Sequence, residues 1–177
     1  ARHFLHVSAI GAASDKSYPY LYTKWQGEQE VIDSGIPYTI YRPSVLFGEG
    51  DEFINVLAGL VRVFPLVPVI GSGKNRYHPL AADDLAKCIG ITLGREDLKG
   101  QVLDLGGTER MSYNDVVSQV ARAMGKRRLR FHLPTWLMYP AVKVTQVIMP
   151  RPPITTDQIR MLGIRSAAEM GEGERVF

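Results

Sequence analysis

Cysteine is almost missing from this chain: Cys88 stands alone among 177 residues. No intramolecular disulfide can form, which suits a reducing compartment and argues against secretion. Charge of one sign is scarce as well. The formal net charge is +3, too small to argue for nucleic acid as a partner. Part of the excess gathers in Lys126-Arg127-Arg128 with Arg130. That run reads first as a solvated strand edge and second as a site for phosphate or a lipid headgroup. No apolar stretch is long enough to span a bilayer, and no signal-peptide pattern is visible. The four histidines are scattered, and no Cys/His spacing suggests a metal site. An initiating methionine is also lacking. Ala1 to Val7 runs straight into an apolar strand pattern, so the expectation is the later part of a longer protein.

What is present fits an ordinary globular α/β chain. Hydrophobic residues make up 45% and charged residues 22%. His3 to Ile10 reads as a buried strand, Tyr20 to Asp33 as a helix stopped at Ser34-Gly35, and Pro37 to Tyr41 as a short strand. This order and spacing predict a parallel βαβ unit. Phe53, Leu57, Leu60 and Val61 recur at helical spacing. Pro65 to Ile70 is apolar but broken by proline. Asp83 and Asp84 precede a helix at Leu85, and Cys88 falls in its apolar run as a small core residue. Gln101 to Leu105 reads as a strand. Ser112 and Asp115 form a capping-box-like pair opening a helix that ends at Gly125. Arg128 to Leu133 is a further strand pattern. Trp136 to Met149 reads as an apolar helix, a core element or subunit interface with room for a membrane-surface role. Thr155 with Gln158 opens a short helix, and the tail from Gly163 reads as mobile.

One constellation carries chemistry. Tyr20 and Lys24 are four residues apart and share a helix face. Ser8 lies at the end of the preceding strand, where α/β sheets bind their ligands. A phenol is a poor acid or base at neutral pH unless a nearby ammonium favours the phenolate. Lysine has donors to spare for ribose hydroxyls, and a serine hydroxyl can hold a carbonyl oxygen while the tyrosine exchanges a proton. In isolation, Tyr20 and Lys24 also read as a surface pair, and Ser8 as a hydroxyl satisfying a loop.

With its surroundings, this pattern resembles the short-chain dehydrogenase/reductase superfamily. Gly27-Glu28 after the lysine, Tyr38 to Ser44 with Leu46-Phe47-Gly48, His78-Pro79-Leu80 with Asp83-Asp84-Leu85-Ala86, and Asp104 to Gly107 are similar to segments of its extended and atypical members. His6 to Ala12 and Thr156 to Leu162 are similar to the atypical group that contains the nucleotide-binding accessory subunit of respiratory complex I. The resemblance implies a Rossmann-like parallel sheet with a small α+β substrate-side subdomain and an NAD or NADP cofactor. It implies contacts to that cofactor from Ser8, Tyr20, Lys24, Arg42, Pro43 and Ser44. If the protein is an enzyme, Tyr20 is the acid/base, Lys24 binds ribose and tunes it, and Ser8 holds the reacting oxygen.

The expected divisions are residues 1–110, the later half of the dinucleotide-binding domain with interleaved substrate-side segments, then 111–162 and a tail at 163–177. A glycine-rich loop opening a βα unit is not found in the 177 residues, and Gly71-Ser72-Gly73 does not follow the first strand of such a unit. Three functions stay open: an NAD(P)-dependent oxidoreductase, a non-catalytic subunit of complex I type, and a nucleotide-sugar epimerase or dehydratase. For the last, Arg127, Arg128 and Arg130 are the candidate diphosphate ligands. Expected partners are the dinucleotide, a small-molecule substrate and other protein subunits, with peripheral membrane association open. The expected location is the bacterial cytoplasm or the mitochondrial matrix side.

Overall fold

The computed structural model describes residues 2–137 and 142. Most of the expected Trp136 to Met149 helix, the helix opening at Thr155, the similar stretch Thr156 to Leu162 and the tail from Gly163 lie outside them. The described chain forms two units, one from residues 2–48 and 78–110, the other from 49–77 and 111–137 with 142.

The first unit holds β1 (Phe4–Val7), α1 (Pro19–Asp33), β2 (Tyr38–Pro43) and β3 (Leu46–Phe47). Pro19 opens α1, where its missing N–H costs nothing. The helix stops at Ser34, and Gly35 takes a φ of +67°, the left-handed turn that glycine adopts without strain. β1 and β2 pair in parallel, His6 opposite Ile40. The strand expected over His3 to Ile10 is shorter, but its bonding continues: Ser8 N–H donates to Tyr41 O and Ile10 N–H to Pro43 O.

The second unit holds α2 (Ile54–Val63), β4 (Leu66–Ile70), β5 (Arg76–Tyr77), β8 (Met111–Ser112), α4 (Tyr113–Ala123) and β9 (Leu129–Leu133). Between them the first unit adds β6 (Leu80–Ala81), α3 (Ala82–Thr92), a 3-10 turn at Glu96–Leu98 and β7 (Gln101–Leu105). β7 pairs in parallel with β2, giving the order β1-β2-β7. β3 and β6 form a short parallel pair.

Side chains alternate across a strand, and that sorts the first unit into layers. Leu5, Val7, Tyr41, Leu103 and Leu105 face α3 and pack with Leu85, Cys88 and Ile89. His6, Ser8, Ile40, Arg42 and Asp104 therefore face α1. Cys88 is partly buried against this core, and burial pushes its thiol up.

In the second unit, β4 pairs in parallel with β9 and β5 antiparallel with β8. Leu57, Val61, Val67, Val69, Val116, Val117 and Val120 make its core. The Ser112–Asp115 capping box forms: Ser112 Oγ accepts from Asp115 N–H, and Ser112 N–H donates to the Asp115 carboxylate. The proline-broken stretch is the strand β4. Gly71 N–H donates to Leu133 O, so the odd-numbered N–H groups point at β9. Pro68, with no N–H to give, falls on the open edge. Among the described residues no helix is long and apolar enough to cross a membrane.

Candidate functional site

The parallel register places three polar residues in one row at the carboxyl ends of the first unit's strands. Ser8 follows Val7, whose partner is Tyr41, so it stands beside Arg42, and Arg42 pairs with Asp104. All three face α1, which carries Tyr20, Lys24 and Glu28 one turn apart on a single stripe.

Glu28 closes over the row. It is only 1% exposed, and its two carboxylate oxygens accept from Arg42 Nε at 2.8 Å and Nη2 at 2.6 Å. Burial alone would push the Glu28 carboxyl up. Hydrogen bonds from Arg42, the nearby Ser8 hydroxyl and the charges of Arg42 and His6 overcome it and hold the group below its ordinary value. The Glu28 bond, aided by the charges of Glu28 and Asp104, raises Arg42 in turn. This is a bidentate pair between a buried carboxylate and a guanidinium whose side chain is 28% exposed, and bidentate pairing is the strong form of the arginine–carboxylate bond.

Ser8 is 3% exposed, and its Oγ is enclosed. It lies near enough to Glu28 to help keep the carboxylate ionised, yet it falls short of a well-formed hydrogen bond and has no partner of its own. His6, two residues earlier on the same face, lies against Gly27 of α1. Its Nε2 is likewise enclosed without a partner. Burial and the Lys24 charge lower its pKa against an opposing pull from Glu28.

Tyr20 and Lys24 sit at the rim. Lys24 Nζ donates to Val7 O at 3.4 Å and lies 5.9 Å from the centre of the Tyr20 ring. One ammonium thus ties α1 to the end of β1 and touches the aromatic face, a contact of modest strength. Tyr20 is 46% exposed. Its phenol is raised by partial burial, the opposite of the shift that acid/base work near neutral pH needs. Pro43 O accepts from Ile10 N–H, Ser44 N–H donates to Leu105 O, and Ser44 Oγ accepts from His78 N–H at 3.3 Å. Pro43 and Ser44 therefore fix the strand ends to one another.

The structure brings Tyr20, Lys24 and the end of β1 together, and it turns Ser8 and Arg42 inward to Glu28. A dinucleotide fits this rim in part. Lys24 spends one of three donors on Val7 O and keeps others for a ribose diol, and Tyr20 offers an accessible hydroxyl. Glu28, His6 and Asp104 are the members that the sequence reading missed. Glu28 had a signal, since it continues the Tyr20/Lys24 spacing by four. His78, buried, has its Nδ1 3.2 Å from Gly107 O. In the second unit Arg128 donates to Val61 O, and Arg130 to Asn114 O and Ser118 Oγ, so both guanidiniums have bonds within the fold. Among the described residues no His/Cys/Asp/Glu group is arranged to hold a metal.

No protein-family model matches the chain. It is 24% identical over 156 residues to the mitochondrial NADH-ubiquinone oxidoreductase 40 kDa subunit of Neurospora crassa, across 88% of this chain and 40% of that protein. It is 26% identical over 117 residues to the mitochondrial NADH dehydrogenase (ubiquinone) 1 alpha subcomplex subunit 9 of Dictyostelium discoideum, across 66% and 33%. The Rattus norvegicus protein of the same name is 29% identical over 135 residues, across 76% and 36%. The chain is a homologue of these complex I subunits. It spans well under half of their length.

In fold, it matches an epimerase of Methanothermobacter thermautotrophicus with a TM-score of 0.65 at 14% identity, over 75% of this chain and 47% of that one. It also matches a UDP-glucuronic acid 4-epimerase of Bacillus cereus, solved with UDP-glucuronic acid and NAD. There the TM-score is 0.60 at 21% identity, over 93% and 60%. These likenesses establish the fold: a Rossmann-like α/β chain.

Proposed function

We propose that the protein carrying this chain is a nicotinamide-dinucleotide-binding subunit of complex I type that binds its cofactor without turning over a substrate. The observation that carries the second half is the Ser8 hydroxyl. It is enclosed beneath Glu28, where no substrate oxygen reaches it, and the raised Tyr20 phenol is poorly suited to proton exchange. The dinucleotide half rests on the rim of Tyr20 and Lys24 at the carboxyl end of a parallel sheet and on the homology. The neighbour solved with NAD supports the same cofactor class, with NAD or NADP both compatible. In this reading Lys24 holds the ribose, Tyr20 lies along the nicotinamide side, and the Glu28–Arg42 pair fixes α1 over the strands. The nicotinamide ring would supply hydride chemistry, but Ser8 is enclosed and the Tyr20 phenol is raised, so neither is placed to use it. Protein partners follow from the homology, on the matrix side of mitochondria in a eukaryote or the cytoplasmic side in a bacterium.

The test is nicotinamide fluorescence with the complete protein across carbonyl, quinone and nucleotide-sugar substrates. Wild type and Tyr20→Phe are expected to bind the dinucleotide alike and to show no substrate-dependent oxidation or reduction. Turnover by the wild type that falls about 10²–10⁴-fold in Tyr20→Phe, the general acid–base contribution, would restore the enzyme reading.

A further inference from the structure

The second unit carries a surface that the dinucleotide rim does not use. The β4–β9 register sets Leu66 opposite Leu129, Pro68 opposite Phe131 and Ile70 opposite Leu133. The alternate residues Val67 and Val69 are fully buried in the core with α2 and α4. On β9, Arg130 and His132 turn to that same side and meet Asn114 and Ser118 of α4. The six apolar residues therefore share the opposite face. Leu66, Leu129 and Phe131 are 47%, 75% and 50% exposed, and Val63 and Phe64, where α2 leads into β4, are exposed too. Continuous exposed apolar surface of this kind marks an interaction site.

The charge beside it has one sign. Residues 54–77 contain Arg62, Lys74 and Arg76, residues 116–137 contain Arg122, Lys126, Arg127, Arg128 and Arg130, and neither stretch contains an aspartate or glutamate. The acids of the described unit sit at 49–52 and at Asp115, ahead of or in the first turn of α2 and α4. The basic run is anchored. Lys126 Nζ donates to Arg62 O and Arg128 Nε to Val61 O, both at 2.8 Å. These bonds satisfy the carbonyl end of α2, where cations are favoured. They also hold the cationic groups beside the first residues of β4 and β9.

We propose that this face docks on an anionic lipid surface, Leu66, Leu129 and Phe131 entering the headgroup boundary while Arg62, Lys126 and Arg127 meet the phosphates. Peripheral binding grows with buried apolar area plus attraction to anionic lipid, and both lie side by side here. Trp136, exposed just beyond β9, is a residue type enriched at membrane interfaces. This surface is independent of the dinucleotide reading.

The experiment is flotation of the complete protein with phosphatidylcholine vesicles and with mixed phosphatidylcholine/phosphatidylglycerol vesicles. The expected result is binding to the mixed vesicles that weakens with salt and little binding to the neutral ones. Arg62→Gln with Arg127→Gln, both exposed positions, should lower partitioning on the order of tenfold or more. Phe131→Ser with Leu129→Ser should lower it at least as much, with thermal unfolding confirming that each variant is folded. Equal binding to both vesicle types, or binding that survives both folded variants, overturns the proposal. So does self-association in solution that Phe131→Ser abolishes while no vesicle binding is found.

Discussion

Arg42→Ala is expected to cost the fold about 3–5 kcal/mol, the loss typical when one member of a buried ion pair is removed. Glu28 would be left at 1% exposure with both bonds to the guanidinium gone and no second bonded cation in its place. Urea denaturation of the complete protein measures it. A loss within about 0.5 kcal/mol, the range of ordinary surface substitutions, would mean that the pair does not hold α1 to the sheet. Removing both charges at once, Glu28→Leu with Arg42→Met, should recover much of the loss, because a packed apolar pair avoids the desolvation of two ions. The pair also sets an acid limit. The Glu28 carboxyl is depressed in the folded state, so its contribution is present above the ordinary carboxylate value of 4.5 and is lost as pH falls through the lower folded value. Stability measured against pH should fall more steeply through that range in wild type than in Glu28→Gln.

Gly107→Ala is expected to be damaging for a different reason. A Cβ at Gly107 would overlap the Pro79 carbonyl oxygen, a backbone atom that cannot swing aside. Gly107 N–H donates to His78 O, and Gly107 O lies 3.2 Å from His78 Nδ1, so relief of the overlap opens that crossing. Overpacking of this kind costs about 1–3 kcal/mol and sometimes more. Gly59→Ala is the internal comparison. Gly59 lies within α2 with nothing near its would-be Cβ, and alanine there should stabilise by roughly 0.5–1 kcal/mol. Calorimetric melting of both variants distinguishes the two glycines. A Gly107→Ala protein that melts with the wild type would contradict the close approach.

Local spacing made the strand–helix–strand order, the Gly35 stop, the Ser112–Asp115 box and the Tyr20/Lys24 stripe legible in sequence. Each is set by residues within a turn or two of one another. The polar row was not legible, because it depends on register. Whether Ser8 stands beside Arg42, and Arg42 beside Asp104, is decided by pairings among strands dozens of residues apart. A slip of one residue would turn all three to the other face. Ser8 reads in sequence as a ligand hydroxyl, and only the register shows that its strand also sets it close to Glu28. β4 was hidden by Pro68, since a proline argues against a strand until the open edge beside it is known. The two-residue strands β3, β5, β6 and β8 are too short to carry an alternation at all.

The most direct measurement is titration of the complete protein with NADH and NADPH, for wild type, Lys24→Ala and Ser8→Ala. Lys24→Ala should lose about 1.5–3 kcal/mol of binding free energy, the worth of a charge-assisted hydrogen bond. Ser8→Ala is expected to bind as wild type does, because the Ser8 hydroxyl is enclosed under Glu28. A Lys24→Ala protein with unchanged affinity, or a Ser8→Ala protein that binds as poorly as expected for Lys24→Ala, would contradict the account.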